Sequence, residues 1–414
     1  MRRRRRRRRE AGILLPLLLI LLAFGIGAGL SVTAWIMSET EDRSGKITGP
    51  VLLAQSEELW ETTERTLERR EQEEPEDLAE TEREEEEEIR ETGTALSIAG
   101  EQSDPASAPR LRIVLDPGHG GPGLKDEQEL GAIYRDTYEK YLTLEIAKGM
   151  KEELSQYGNI EIFMTREEDR ALTLKERAAY AESVNADLLV SLHLNASLEH
   201  NFYGSEVFVS AFDRFHATGS GVGKSILAEL TDYGFVSKGV KTRLGSKGAD
   251  YYGIIRECRS LGIPALIVEH GYMDEDSDWS RMNTTEALRS LGQRDAAGLA
   301  SYYGLEKGRV FLELPPVEET IPTTVVSPDL TPPEEVWYKK ERQGDGHYLI
   351  TLHGIERESR VMYYDYSLDG GATYSKLFLW ENGETMKILM DLTDGEQPVF
   401  RVYNNYELRT ETAG

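Results

Sequence analysis

The sequence predicts an α/β domain built on a twisted, mostly parallel sheet flanked by helices. Two observations predict it. From residue 110 onward, short apolar runs alternate with longer amphipathic ones, the pattern of strands alternating with helices. Three of the apolar runs, LRIVLDPGHGG (111–121), DLLVSLHLNA (187–196) and ALIVEHGYMD (265–274), end in residues able to hold a metal or move a proton. An apolar amino-terminal span and a small all-β, immunoglobulin-like carboxyl-terminal unit complete the predicted architecture.

The chain has 414 residues and a formal net charge of −26, a length that suggests two or three units. Residues 1–10 form a basic tail that includes the arginines at 2–9, and residues 11–37 carry no charge. About 20 apolar residues span a bilayer core, and arginines before the span hold the amino end in the cytoplasm. A transmembrane signal anchor at 11–37 follows, with the rest of the chain outside the cytoplasm at the cell membrane. A cleaved signal ending near Val32-Thr33-Ala34 is the alternative, which would make the protein secreted. The adjoining apolar span argues against a nucleic-acid partner for the arginines. Residues 38–109 read as an acidic, low-complexity stalk of Glu, Arg and Thr, too polar to bury a core. A coiled coil would need a sustained apolar a/d stripe, which is missing. The lone Cys258 excludes an intrachain disulfide, and its apolar neighbours suit a small buried residue.

The catalytic region is expected at 110–306. Strands are expected at 111–116, 160–165, 187–193, 204–210 and 264–269, and helices at 139–157, 172–185, 222–234 and 284–303. In 172–185, Leu172, Leu174, Ala178, Ala181 and Val184 share an apolar face. The Gly-rich stretch 211–224 reads as a loop. His200 and His216 fall in polar loops and carry no assigned role.

The first apolar run ends in Asp116-Pro117-Gly118-His119-Gly120-Gly121, which turns the chain out of the sheet at its carboxyl end, where open α/β sheets hold ligands. On local grounds His119 is equally a turn histidine that only hydrogen-bonds. His193 and Glu269 at the ends of two further runs make one convergent site the better reading. A hydrolytic zinc takes three protein ligands and keeps a position open. His119, His193 and a carboxylate near the start of the first helix supply such a set. Local evidence leaves Glu129, Asp136, Glu139 and Glu145 as rivals for that carboxylate.

The order DPGHGG, EK before a helix, TR after a strand, SLHLNA and VE-GYM resembles the zinc-dependent N-acetylmuramoyl-L-alanine amidases that hydrolyse bacterial cell wall, over about residues 111–306. The resemblance implies zinc as cofactor, peptidoglycan as substrate and the same sheet-and-helix architecture. It selects Glu139, at EK before LTLEIA, as the third ligand beside His119 and His193. It implies that Glu269 is the general base, taking a proton from the attacking water and passing it to the leaving amine. The competing role for Glu269 is a structural ion pair with an arginine such as Arg256. Asp116, Asn195 and His270 are candidates for supporting the ligands or touching substrate. Arg166 and Arg177 read as ion-pair residues of the fold.

Residues 307–334 are expected to form a Pro-rich linker, and 335–414, with Asp369-Gly370-Gly371 as a turn, a β-sandwich accessory domain of unknown partner. The leading reading is zinc-dependent hydrolysis of the amide between N-acetylmuramic acid and L-alanine. The alternatives are hydrolysis of another wall or spore-cortex amide, and a membrane-anchored wall-binding scaffold with an inert site.

Overall fold

A computed structural model describes residues 108–121, 130–381 and 383–412. The expected basic tail, the anchor and all but the last two residues of the stalk lie outside the described residues. Among the described residues, no helix is long and apolar enough to cross a membrane.

In chain order the catalytic region folds as β1 (Leu111–Pro117), a hairpin of β2 (Ile133–Tyr134) and β3 (Thr137–Tyr138), α1 (Glu139–Leu154), β4 (Ile160–Met164), α2 (Leu174–Ser183), β5 (Leu188–Asn195), β6 (Ser205–Val209), α3 (Asp213–Tyr233), β7 (Ser237–Lys241), α4 (Gly253–Ser260), β8 (Ala265–Tyr272), the single turn α5 (Asp276–Trp279) and α6 (Thr285–Tyr302). One six-stranded sheet runs in the order β4-β1-β5-β8-β6-β7. Every neighbouring pair is parallel except β6 and β8.

Both faces of the sheet are covered, which is why its strands read as continuous apolar runs. Ile113, Leu115, Val190, Leu192, Leu266 and Val268 pack with residues of α1, α3 and α6, including Ile146, Ile226 and Leu291. The alternate positions Val114, Leu189 and Ile267 pack with Ala178 and Ala181 of α2 and Ile254, Ile255 and Cys258 of α4. Burial pushes the Cys258 thiol up to about 12, far from a reactive thiolate.

The chain departs from its sequence pattern at the Gly-rich stretch expected to be a loop. Residues 213–224 are the first half of α3, and His216 therefore sits on a helix. The glycines mark close approach. A Cβ at Gly223 would lie 2.7 Å from Val207 Cγ1, and one at Gly221 would lie 2.2 Å from Tyr302 Cε2. Close packing against β6 and α6 offsets the roughly 1 kcal/mol per residue by which glycine disfavours helix.

The tail forms two antiparallel sheets. One holds β9 (Glu334–Arg342), β10 (His347–Ile355) and β13 (Thr385–Asp391) in the order β13-β10-β9. The other holds β11 (Val361–Ser367), β12 (Phe378–Leu379), β14 (Val399–Asn404) and β15 (Arg409–Glu411) in the order β12-β11-β14-β15. Ile350, Leu352, Met386 and Met390 of the first pack with Tyr364, Phe400 and Val402 of the second. Gly370 and Gly371, at φ 72° and 94°, make the expected turn after β11.

A Pro-rich linker before the tail leaves open whether the tail docks, and the structure has it packed on the catalytic region. Catalytic and tail residues fall in one compact unit. Phe202 and Tyr272 share a buried cluster with Met362, Tyr363, Leu377 and Tyr403. Lys238 on β7 is wholly buried and donates to the Tyr272 hydroxyl and to Glu407 of the tail. Lys241 donates to Glu206 and to the Asn405 carbonyl. The linker itself is bonded along the way, Phe311 N to Asn159 Oδ1 at 2.7 Å and Val326 N to the Ala211 carbonyl at 2.9 Å. Proline composition describes backbone stiffness, and it is blind to such lateral contacts.

Cutting the chain after residue 334 therefore strips Lys238 of Glu407 and opens the Phe202–Tyr272 cluster to water. The expected result is a clearly lowered melting temperature. Glu407→Ala alone should cost about 1–3 kcal/mol, since the pair is only partly shielded on the Glu407 side. A truncated chain that melts like the whole one would refute this docking.

Candidate active site at the carboxyl rim of the sheet

His119 stands two residues past β1, on a turn it could not adopt without support. Its φ is 59°, a left-handed value that few residues with a Cβ tolerate. Arg177 Nη2 donates to the His119 carbonyl at 2.7 Å. Arg177 Nη1 bonds the Pro117 carbonyl at 3.0 Å and Asp116 at 2.7 Å. Arg166 donates through Nε to the Pro117 carbonyl at 2.9 Å and through Nη2 to the Gly118 carbonyl at 2.7 Å. Thr143 Oγ1 reaches the same Gly118 carbonyl at 3.0 Å. At the far end of the turn, Lys140 Nζ donates to the Gly121 carbonyl at 2.6 Å and to Asp169 at 2.8 Å. The turn is thus clamped from α1, α2 and the segment after β4.

Glu139 opens α1, carried there by the β2–β3 hairpin. Arg135 and Asp136 turn that hairpin with φ of 47° and 60°, the two left-handed values of a type I′ turn. One Glu139 oxygen lies 3.1 Å from His119 Nε2, and the other lies 3.1 Å from His193 Nδ1. Backbone amides of Ala132 and Leu194 donate to the same two oxygens at 2.8 and 3.0 Å. Burial works against the Glu139 charge, but the two imidazoles outweigh it and hold the carboxyl well below its usual range. Of the rival carboxylates, Asp136 sits in the hairpin turn, Glu145 pairs with Lys148 and Arg289, and Glu129 lies outside the described residues.

His193 comes from β5 and meets the His119 ring edge-on, with centroids 4.8 Å apart. Burial holds its imidazole below the ordinary value, so at neutral pH it is uncharged and offers a lone pair. Gly118 makes room for it: a Cβ there would lie 2.3 Å from His193 Cε1. One ligand atom from each of His119, Glu139 and His193 lies within 4.8 Å of the others.

Glu269 is in register with His193 on the adjacent parallel strand β8, so both side chains leave the sheet on the same face. Its Oε2 is buried without a hydrogen-bond partner. Burial, and then the Glu139 and Glu206 carboxylates, push its carboxyl well above the usual range. Arg256, the arginine considered as its structural partner, donates to the Asp250 and Tyr251 carbonyls.

The remaining candidates have structural partners. Asp116 accepts from Thr165, Ser191 and Arg177. Burial raises its carboxyl, but Arg177 and the two hydroxyls outweigh this and lower it. Asp116 therefore acts on His119 through Arg177. Asn195 Nδ2 donates to Glu206 at 2.6 Å. His270 is wholly buried, on the opposite face from Glu269. Its ring bridges the His193 carbonyl at 2.9 Å and Asp295 of α6 at 2.8 Å.

Sequence reading missed two features. One is the use of Arg166 and Arg177 on backbone carbonyls, which no side-chain pattern reveals. The other is the buried group of Glu206, Lys238 and Lys241 behind the site. SKGVK (237–241) carries too few apolar residues to signal a strand. The clamp yields a prediction. Arg177→Ala should cost about 3–5 kcal/mol in a denaturation titration, because Asp116 stays buried without its cation. It should also slow turnover by loosening the His119 turn. A loss under about 1 kcal/mol would show that the turn is held by other means.

Comparison with known proteins bears on the same residues. The Amidase_3 family model, N-acetylmuramoyl-L-alanine amidase, matches residues 113–301. The N-acetylmuramoyl-L-alanine amidase CwlM of Bacillus licheniformis is 27% identical over 203 residues, covering 49% of this chain and 72% of that protein. The sporulation-specific N-acetylmuramoyl-L-alanine amidase of Bacillus subtilis is 28% identical over 199 residues, covering 48% and 70%. AmiC of Escherichia coli is 25% identical over 242 residues, covering 50% and 56%. Residues 113–301, the segment that carries His119, Glu139, His193 and Glu269, belong to the N-acetylmuramoyl-L-alanine amidase family.

Proposed function

We propose that the chain is a zinc-dependent enzyme that hydrolyses the amide between N-acetylmuramic acid and L-alanine in peptidoglycan. The observation that carries this is the convergence of two imidazoles and one carboxylate beside Glu269, whose Oε2 is buried without a hydrogen-bond partner, within a segment of that family. The donor set fits zinc: His119, Glu139 and His193 offer two neutral nitrogens and one charged oxygen, and Gly118 and Gly131 leave space around them. A Cβ at Gly131 would lie 2.5 Å from Glu139 Oε2 and 2.7 Å from His119 Cδ2. When bound there, zinc supplies Lewis acidity for activating water and polarising the amide carbonyl.

The chain's own residues do the rest. Glu269 accepts a proton as water adds to the carbonyl carbon. It returns that proton to the alanine nitrogen as the C–N bond breaks, leaving a lactyl carboxylic acid and a free amine. Its lack of a hydrogen-bond partner leaves Oε2 free for this task. Arg166, Arg177 and Thr143 hold the His119 turn, and His270 holds the His193 backbone, so the ligands need little rearrangement to bind. The proposed organisation keeps a catalytic unit at 110–306, a linker at 307–334 and an accessory unit at 335–414. Seven tail strands in two antiparallel sheets support an immunoglobulin-like type for the last.

Ligand and base should fail differently. His193→Ala is expected to lose both zinc and turnover. Glu269→Gln should fold, hold zinc near the wild-type level and turn over about 10²–10⁴-fold more slowly. Zinc content, melting temperature and rate on the same preparations separate the cases. Normal turnover with a lowered melting temperature would demote Glu269 to a structural residue. Mass spectrometry of digested peptidoglycan identifies the bond, since cleavage elsewhere in the wall polymer leaves no stem peptide with a free L-alanine amine.

The arginines at 2–9 and the uncharged span 11–37 support a single-pass anchor with the catalytic unit outside the cytoplasm. Cell fractionation should recover the chain with membranes. A form in the medium beginning near Trp35 would identify a cleaved signal in its place.

A further inference from the structure

The outer face of the three-stranded tail sheet holds a patch that catalysis does not use. Strand pairing aligns three rows across it. His353 lies opposite Trp337, Thr351 joins Lys339 to Lys387, and Leu349 joins Glu341 to Leu389. The inward positions of the same strands are core, so solvent-facing ones would ordinarily be polar. Here Trp337 is 40% exposed and Leu389 is 76% exposed. The indole lies flat on the His353 ring, with centroids 4.7 Å apart and an interplanar angle of 22°. Lys339 Nζ stands 5.5 Å from the indole centroid. The stack fixes the indole in one plane, which lowers the entropy lost when a second flat surface covers it.

The charges narrow the occupant. The chain has a net charge of −26, yet two lysines occupy the middle row, between the indole and the exposed leucine. Glu341 stands in the outer row, two residues along β9 from Lys339 and two strands away from Lys387. A flat aromatic beside two lysines in one row fits a sugar polymer that carries carboxylates. The C–H face of a pyranose covers the ring and displaces water from it, while the lysines meet the acidic branches.

We propose that this face binds the peptidoglycan glycan itself, with Trp337 stacked on a sugar ring and Lys339 and Lys387 against stem-peptide carboxylates. The choice of polymer rests on the amidase reading above. Because the tail is fastened to the catalytic unit through Lys238, Glu407 and a shared apolar cluster, polymer held on this face stays tethered to the catalytic unit.

Sedimentation of the full chain with purified, insoluble peptidoglycan tests this. Glu269→Gln is the background for binding, so that the polymer is not consumed. Trp337→Ala, and separately the double change Lys339→Glu with Lys387→Glu, should each weaken binding about fivefold or more. In the otherwise unaltered chain the same changes should leave melting temperature and hydrolysis of soluble muropeptides as they were. Binding that matches the parent in both variants overturns the proposal. So does a parent that is dimeric by size exclusion while the variants are monomeric and bind normally, which would assign the face to a second copy of the chain. Failure of the unaltered chain to cut soluble muropeptides would count against the amidase reading alone, because sedimentation does not depend on cleavage.

Discussion

Three parallel strands, β1, β5 and β8, lie side by side, and the hydrogen-bond ladder between them decides where the chemistry sits. Asp116 pairs with Ser191 across the first gap, and His193 pairs with Glu269 across the second. A slip of one residue in either ladder would turn a whole strand over and send its polar residue into the apolar layer behind. The buried side chains on both faces oppose that slip. Val114, Leu189 and Ile267 point one way, and Leu115, Val190 and Leu266 point the other. Packing on both faces is therefore the constraint on which the polar rim depends.

The rim is costly to build, and its costs are met locally. His119 sits at a left-handed backbone position, Glu139 is a buried carboxylate, and Glu269 is half-buried with an unpartnered oxygen. Guanidinium groups on backbone carbonyls hold the first, and two imidazoles and two amides hold the second. Only Glu269 is left without a compensating hydrogen bond at Oε2. That freedom suits the proton transfer proposed for Glu269.

The tail and the catalytic unit are one folded body joined partly by charge. Lys238 and Lys241 are buried at the end of the sheet, and they reach both Glu206, which bonds Asn195 of the rim, and tail residues Asn405 and Glu407. Desolvated charges of this kind tolerate no vacancy, so the tail's position is tied to the sheet edge behind the site. A face for polymer on such a tail is held at a set distance from the catalytic rim, in contrast to one on a loose tether.

The α/β class, the five strands that carry or flank the site, and the residue types able to bind a metal are all legible in the amino-acid order. These are local properties: apolar runs mark strands, Gly and Pro mark where they end, and His, Glu and Asp stand out at those ends. Resemblance to a family was needed to prefer Glu139 over Asp136 and Glu145, because all three are acidic residues near one helix start. That Gly-rich 213–224 is helical is invisible until the fold is known, since Gly221 and Gly223 answer to Tyr302 and Val207, outside that stretch. The same holds for Arg166 and Arg177 gripping backbone carbonyls, for His270 lying on the opposite face from Glu269, and for the docking of the tail. Each of those depends on which long-range neighbour arrives beside a residue. Composition and periodicity record a residue's own preference for water or core, and they carry no information about the partner that satisfies it.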